Sequence, residues 1–536
     1  MKHILLKINF QYFLYFTVAG CCLFESCTKK FEEYNTDPFG ITNKDLSADF
    51  RLIGEPLKQV QLNIYISSPA WNTQLQQNLI GDVYSGYMGV PTPFAGNQNN
   101  MTYALVDGWN TYPWDDAYNG VMAPALNVFK NAGTSYPAFV AWAKLLRVEA
   151  MHRVSDIYGP IIYSKYGQVN ANGSISYDSQ KDAYYAFFND LDSAITTLTP
   201  LAQSTTAVKQ FTSFDFVYGG DYKEWVKFAN TLRLRLALRI VNIDPVKAQT
   251  EGQKALANPI GLLTANTDNF NINLGTTTHP LNTISGSWGD IRFGAPLSSY
   301  LNGYSDARAT KYALPATDPA VAGKIIGIHS GINIDSKDRY EGYSALVSFP
   351  NSIQLMTSAE AWFLKAEAAL RGWSGAGDAK TNYETGIKTS FAQYGLDATT
   401  YISNSSSTPA PYIDPKSVTA GQNNITSGSP YLSTITIQWN TGASFSQNLE
   451  RIITQKWLAM YPDGQEAWSE FRRTGFPKLY PNIVNYSNGA IPSANFVRRI
   501  NFALSERNTN PTGVAAAVAL LVGPDNGGTR LWWDKP

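Results

Sequence analysis

The run Gly220-Asp221-Tyr222-Lys223-Glu224-Trp225-Val226-Lys227-Phe228-Ala229-Asn230-Thr231-Leu232-Arg233-Leu234-Arg235-Leu236-Ala237-Leu238-Arg239-Ile240 carries the helical period most plainly. Trp225, Phe228, Ala229, Leu232, Leu236 and Ile240 recur at spacings of mostly three and four, which draws one apolar face on a helix over 222–240. Lys227, Arg233 and Arg235 fall off that face. Helical patterns also occupy 52–66, 74–84, 114–130, 139–154, 184–197, 358–371, 378–391, 446–460 and 466–473. Asp156-Ile157-Tyr158-Gly159-Pro160 stops the fourth of these. In 358–371, Ala361, Ala366, Ala368 and Ala369 are small enough for close helix contact, and Gly372 caps the end. That stretch and 378–391 read as a tetratricopeptide-like hairpin, although no fixed repeat runs the length of the chain. The expected fold class is all-α, mainly helical, with few short strands.

Between the helices the chain changes character. Residues 85–113 are rich in Gly, Pro, Asn and aromatics and lack a helical period; a loop this long in a compact protein is usually functional. Residues 262–343 are loop-like with short strand candidates, 398–433 form a Ser/Thr/Pro/Asn-rich insertion, and 474–536 are mostly irregular. Hydrophobic residues make up 44% of the 536, enough for a large core, so a disordered body is excluded. Lys plus Arg number 42 and Asp plus Glu 42, giving net charge +0, which lacks the basic excess of a nucleic-acid footprint. It equally argues against electrostatic attachment to anionic lipid.

All cysteines, Cys21, Cys22 and Cys27, lie near the N-terminus, and His3, His152, His279 and His329 are far apart, so zinc spacings are absent. Lys2 and Lys7 precede an apolar run, 8–20, too short to span a bilayer, which reads as a secretory signal. Val18-Ala19-Gly20-Cys21 has the form of a lipoprotein cleavage site; Ser26-Cys27 is its rival. The signal is therefore 1–20, or 1–26 with Cys27 as the lipid site, followed by a polar leader, 28–44, and one domain, 45–536. The best later apolar run, 513–523, is too short to cross a membrane.

No Gly-x-Ser-x-Gly elbow, His-Glu-x-x-His or dinucleotide loop is present, and no cofactor or metal is expected. Asp268, Asn271 and Asn273 read as solvated turn residues without the glutamate and glycine of a calcium loop. Asp115-Asp116 sits at a helix start, where acids favour the dipole. What remains is aromatic and amide-rich loop. Trp109, Tyr112 and Trp288 stand among Gly, Asn and Asp, where flat rings stack on sugars, and Asn110, Asp290 and Arg292 would take the hydroxyls. Trp114, Tyr118, Trp225, Trp362 and Trp468 read as core.

The chain resembles the SusD/RagB nutrient-binding outer-membrane lipoproteins of Bacteroidetes. The likeness rests on several blocks taken together: Cys27-Thr28-Lys29-Lys30-Phe31-Glu32-Glu33-Tyr34-Asn35-Thr36-Asp37-Pro38; Asp156-Ile157-Tyr158-Gly159-Pro160; Gly220-Asp221-Tyr222-Lys223-Glu224-Trp225 through Arg235; Ala359-Glu360-Ala361 through Gly372-Trp373; Glu466-Ala467-Trp468 with Arg472-Arg473-Thr474-Gly475; Arg498-Arg499; and Trp532-Trp533-Asp534. Val497, Phe502 and Ala503 depart from the family pattern beside the paired arginines. The family opening points to Cys27 as lipid anchor and the cleavage pattern to Cys21. The resemblance implies helix hairpins under a large loop-rich ligand face, on a lipid-anchored outer-membrane protein exposed at the surface. It implies non-enzymatic binding of an oligosaccharide or other nutrient as the lid of a SusC-like TonB-dependent transporter. Its motifs are scaffold and transfer no binding residue. The alternatives are a peptide-binding or scaffolding lipoprotein using a hairpin groove, and a surface glycosidase.

Overall fold

The computed structural model describes residues 49–535. Cys21 and Cys27, the signal segment and the leader 28–44 lie outside the described residues. From Ile53 onward the described chain packs as one unit.

The main helices are α1 (Arg51–Ile64), α2 (Ala123–Ala132), α3 (Pro137–Tyr158), α4 (Gln180–Gln203), α5 (Tyr222–Arg239), α6 (Pro245–Ala257), α7 (Ala295–Gly303), α8 (Ser358–Leu370), α9 (Ala379–Ala392), α10 (Phe445–Met460) and α11 (Gly464–Thr474). Sequence neighbours pack as pairs: α3 on α4, α4 on α5, α5 on α6 and α8 on α9, with α10 laid against α8. Starts and stops are chemical. The Asp221 carboxylate takes the N–H groups of Lys223 and Glu224 at the head of α5. Thr357, Asp378 and Asp463 cap α8, α9 and α11 in the same way. Gly159, at φ 91°, ends α3 inside the predicted stop. Within the α8–α9 hairpin, Ala361, Ala366 and Ala368 are fully buried, and Gly386 lies under the Phe363 ring, 2.8 Å from where a Cβ would sit.

Three sequence expectations change. Helix α6 has no counterpart among the helical patterns of the sequence, because its buried stripe is Ala248, Glu251, Gly252 and Ala255, too small and polar to show as a hydrophobic period. Helix α7 lies inside the stretch read as loop and strand. Trp362, expected in the core, is only half-buried; its Nε1 donates to the Thr264 carbonyl and Lys365 lies over its ring.

From Phe228 onward helix α5 is buried all round, including the arginines that fall off its apolar face. Their charges are paired inside. Arg235 donates to both oxygens of Glu360 at 2.8 and 2.6 Å. Arg239 pairs with Glu466 and Glu470 of α11, Arg473 with Glu367 and Glu470, and Arg233 with Glu251. Lys456 of α10 stands 3.2 Å from Glu470. The sequence blocks that carry the family likeness thus form an ionic layer between helices. Such pairs survive burial only when each charge has its partner and hydrogen bonds.

Among the described residues there are two two-stranded antiparallel sheets: β1 (Met88–Gly89) with β3 (Arg292–Phe293), and β2 (Phe270–Asn273) with β4 (Ser352–Met356). No helix among the described residues is long and apolar enough to cross a membrane.

Candidate functional site

The β1–β3 pair is small, but it joins the two loops that hold the predicted aromatics. Met88 faces Phe293 and Gly89 faces Arg292 in the register, and the Gly294 N–H adds a bond to the Tyr87 carbonyl at 2.8 Å. Residues 90–113 therefore leave the sheet beside 282–291. A side-chain circuit then links them. Asp290 accepts from Thr92 Oγ1 at 2.7 Å and lies 3.5 Å from Gln74 Nε2. Gln74 follows Trp71 by one helical turn, and Trp71 meets Tyr112 edge to face, with centroids 5.6 Å apart. The Tyr112 N–H donates to the Trp109 carbonyl, and Trp109 meets Phe94 edge to face at 5.9 Å. Phe94, whose N–H reaches the Thr92 carbonyl, closes the ring of contacts.

Trp288 stands beside this circuit. It ends a π-helical turn, Asn282–Ser287, with its N–H on the Thr283 carbonyl, and Lys337 Nζ bridges its carbonyl to Asp290 Oδ1. Trp288 is 37% exposed and Trp71 47%; Trp109, Tyr112 and Phe94 are half-buried. Flat rings thus lie beside the polar groups Thr92, Asp290 and Lys337, braced from behind by buried Gln74, which puts stacking faces next to hydrogen-bond donors and acceptors.

The predicted residues divide. Trp109, Tyr112, Trp288 and Asp290 belong to this face. Asn110 is 2% exposed, and its amide is spent on Asn100, whose own amide also holds Leu79 and Val106. Arg292 is 7% exposed and donates to the carbonyls of Glu341, Ser285 and Ile291; burial pulls its guanidinium below the ordinary arginine value, against Glu341 and Asp290. Both brace the loops rather than present polar atoms to solvent. Sequence reading passed over Trp71. Its signal was the break Ser67-Ser68-Pro69 between two helical patterns, which leaves the next ring at a helix start.

The other candidates lie elsewhere. Asp115 accepts from Ser505 Oγ at 2.6 Å and from Thr111 Oγ1. Asp116 accepts from Asn72 Nδ2 at 3.2 Å, and burial pushes its carboxyl up to about 6. Asp268 takes the N–H groups of Thr264 and Ala265 and pairs with Lys227 at 3.2 Å, so its oxygens are occupied. Among the described residues no three His, Cys, Asp or Glu side chains cluster in a way that would hold a metal. Trp114 is buried and stacked on Tyr177, as a core residue is.

Comparison with known proteins agrees with the fold. The model of the SusD-like family, described as SusD and RagB outer membrane lipoprotein, matches residues 33–534. A chitin-binding SusD homologue from Flavobacterium johnsoniae is 44% identical, covering 90% of this chain and 98% of its own, with a TM-score of 0.86. A SusD homologue from Bacteroides vulgatus is 35% identical over 91% and 99%, with a TM-score of 0.85. One from Bacteroides uniformis is 34% identical over 90% and 99%, at 0.83. No curated protein matches. With the family model and these relatives spanning nearly all of the helical body and both site loops, the chain belongs to the SusD/RagB family of outer-membrane lipoproteins.

Proposed function

We propose that this protein captures a glycan at the cell surface, without catalysis, on the face formed by Trp71, Tyr112, Trp109, Phe94 and Trp288. The observation that carries the reading is the pair of exposed tryptophans, Trp71 and Trp288, beside the polar groups Thr92 and Asp290. A neutral sugar chain has what such a face selects: apolar ring faces to stack and hydroxyl or amide groups to bond. Because the Flavobacterium johnsoniae relative is chitin-binding, a chain of N-acetylglucosamine is the first ligand to test. An anchor on Cys21 or Cys27 would hold the protein at the outer membrane, as the lid of a SusC-like TonB-dependent transporter that receives the glycan. Release to the transporter calls for modest affinity, about −4 to −8 kcal/mol, or millimolar to micromolar.

Two rival readings have less support. A peptide groove in the α8–α9 hairpin is occupied by the chain itself: α10 packs on α8, and Tyr383 donates to the Ile437 carbonyl. A glycosidase needs two carboxyls facing each other across the scissile bond. Asp115 and Asp116 are instead consecutive on one helical turn, each engaged by its own partner.

Titration calorimetry with soluble chitooligosaccharides, alongside pull-down on insoluble chitin, tests the proposal. Wild-type protein binds and releases no product. Trp71→Ala and Trp288→Ala each weaken binding about tenfold, near 1.4 kcal/mol, with little change in melting temperature. Unaltered affinity in both variants would remove this face from the site.

A further inference from the structure

The Asp115-Asp116 pair lies beside the Trp71–Tyr112 corner. Asp116 is one helical turn beyond Tyr112, and its partner Asn72 is the residue after Trp71. Only half of the possible contact between the two side chains is satisfied. Asn72 Nδ2 donates to Asp116 Oδ1 at 3.2 Å, yet Asn72 Oδ1 and Asp116 Oδ2 are both buried with no hydrogen-bond partner. Two acceptor oxygens left over at one buried contact lack a single proton, since an ionised carboxylate accepts only while its acid form also donates. A buried acceptor without a donor is costly, so the folded protein gains by taking that proton up.

We infer that Asp116 is a positioning residue: as the neutral acid its Oδ2–H donates to Asn72 Oδ1, and the resulting two-bond ring holds Trp71 against Tyr112. The inference rests on Trp71 belonging to the ligand face, and it adds a pH dependence to that face. Burial is the main force raising the Asp116 carboxyl to about 6; the bond from the Asn72 amide offsets part of it, and the neighbouring Asp115 charge adds to it. Asp115 itself accepts from Ser505 and Thr111, and the Tyr158 hydroxyl, which burial keeps protonated and which feels both carboxyls, donates to the Asn110 carbonyl. A carboxyl whose folded value is raised contributes fully below its unfolded value, and that contribution is lost as pH rises through about 6. Above that point Oδ2 and Oδ1 repel, and Trp71 loosens.

Two readouts separate this from the binding proposal. In ligand-free protein, tryptophan emission titrates with a midpoint near 6; Trp71→Phe removes that transition, and so does Asp116→Asn, whose amide donates in the same place at every pH. For chitooligosaccharide, wild-type affinity is about fivefold tighter near pH 5 than near pH 8, the yield of one net hydrogen bond. Asp116→Asn binds at the tight level throughout, and Asp116→Ala at the weak level throughout. An emission transition that persists in Asp116→Asn, or an Asp116→Asn variant as weak as Asp116→Ala, overturns the inference. An emission transition with the predicted variant pattern, but no glycan bound at any pH, upholds the pair and defeats the glycan reading instead.

Discussion

Trp288 stands on a turn that a side chain would strain. Gly289 follows it at φ +66°, and a Cβ there would lie 2.7 Å from Glu341 Oε1 and 3.3 Å from Arg292 Nη2. Gly289→Ala therefore costs about 1 kcal/mol in backbone strain and re-aims Trp288 and Asp290 together. The expected result is a slightly lower melting temperature and weaker glycan binding, although no ring or hydrogen-bonding group has been removed; near-ultraviolet dichroism would report the shift of the indole. Binding equal to wild type would mean that Trp288 does not need this placement. How much of the face was legible follows from the same residues. Trp109, Tyr112, Trp288 and Asp290 were readable because they sit in aperiodic sequence, where a ring has no helical core to serve. Asn110 and Arg292 share that sequence context, but only three dimensions reveal the carbonyls and amides that absorb them. Trp71 was hidden by the helical patterns on either side of it.

At the scale of elements, the apolar period of α5 identified a helix and its packing face, but it gave no account of the arginines. Arg235 and Arg239 are legible only once α8 and α11 supply Glu360, Glu466 and Glu470 from more than a hundred positions away, whereas Arg233 meets Glu251 on the neighbouring α6. Arg235 is the test case. It is fully buried, bidentate to Glu360, bonded to the Leu355 carbonyl, and 3.8 Å from Glu149 and Glu466. Arg235→Met takes from buried Glu360 its bidentate partner, leaving Lys456 at 3.6 Å as the cation beside it, and should cost about 3–5 kcal/mol in urea denaturation. Adding Glu360→Leu removes that carboxylate and should return part of that loss. A single variant within about 1 kcal/mol of wild type would show that the layer tolerates an unpaired charge. In α6 the buried stripe is Ala248, Gly252 and Ala255, and at Gly252 the Trp373 ring fills the space, 2.2 Å from where a Cβ would sit. A period built from small residues is visible in the packing before it is visible in the sequence.

For the molecule as a whole, the ionic layer gives stability a direction with pH. Two kinds of buried carboxyl oppose each other. Glu466, held by Arg239, Arg235 and Lys456 against the cost of burial, is lowered to about 2, and Glu470 is lowered well below the ordinary carboxylate value by Arg473, Lys456 and Arg239. A depressed carboxyl contributes above its unfolded value, and the contribution is lost as pH falls through the folded value, so this loss comes only in strong acid. Burial raises Asp82 to about 7 and Glu149 to about 8. Glu149 is the sharper case: neither of its oxygens has a hydrogen bond, and the nearest guanidinium nitrogens, on Arg235 and Arg153, are 3.8 and 4.0 Å away. A raised carboxyl contributes fully below its unfolded value and loses that contribution as pH rises through the folded one, with each unit of difference worth about 1.4 kcal/mol. The two sets leave a stability maximum on the mildly acidic side of neutrality. Melting temperature should fall by several degrees between about pH 5.5 and about pH 8.5. Glu149→Gln, which keeps the shape and cannot ionise, should flatten its share of that slope and melt closer to its acid value at the alkaline end. A melting temperature that rises toward alkaline pH, or a slope unchanged in Glu149→Gln, would mean that Glu149 is ionised in the folded protein and that its charge is met by the arginines after all.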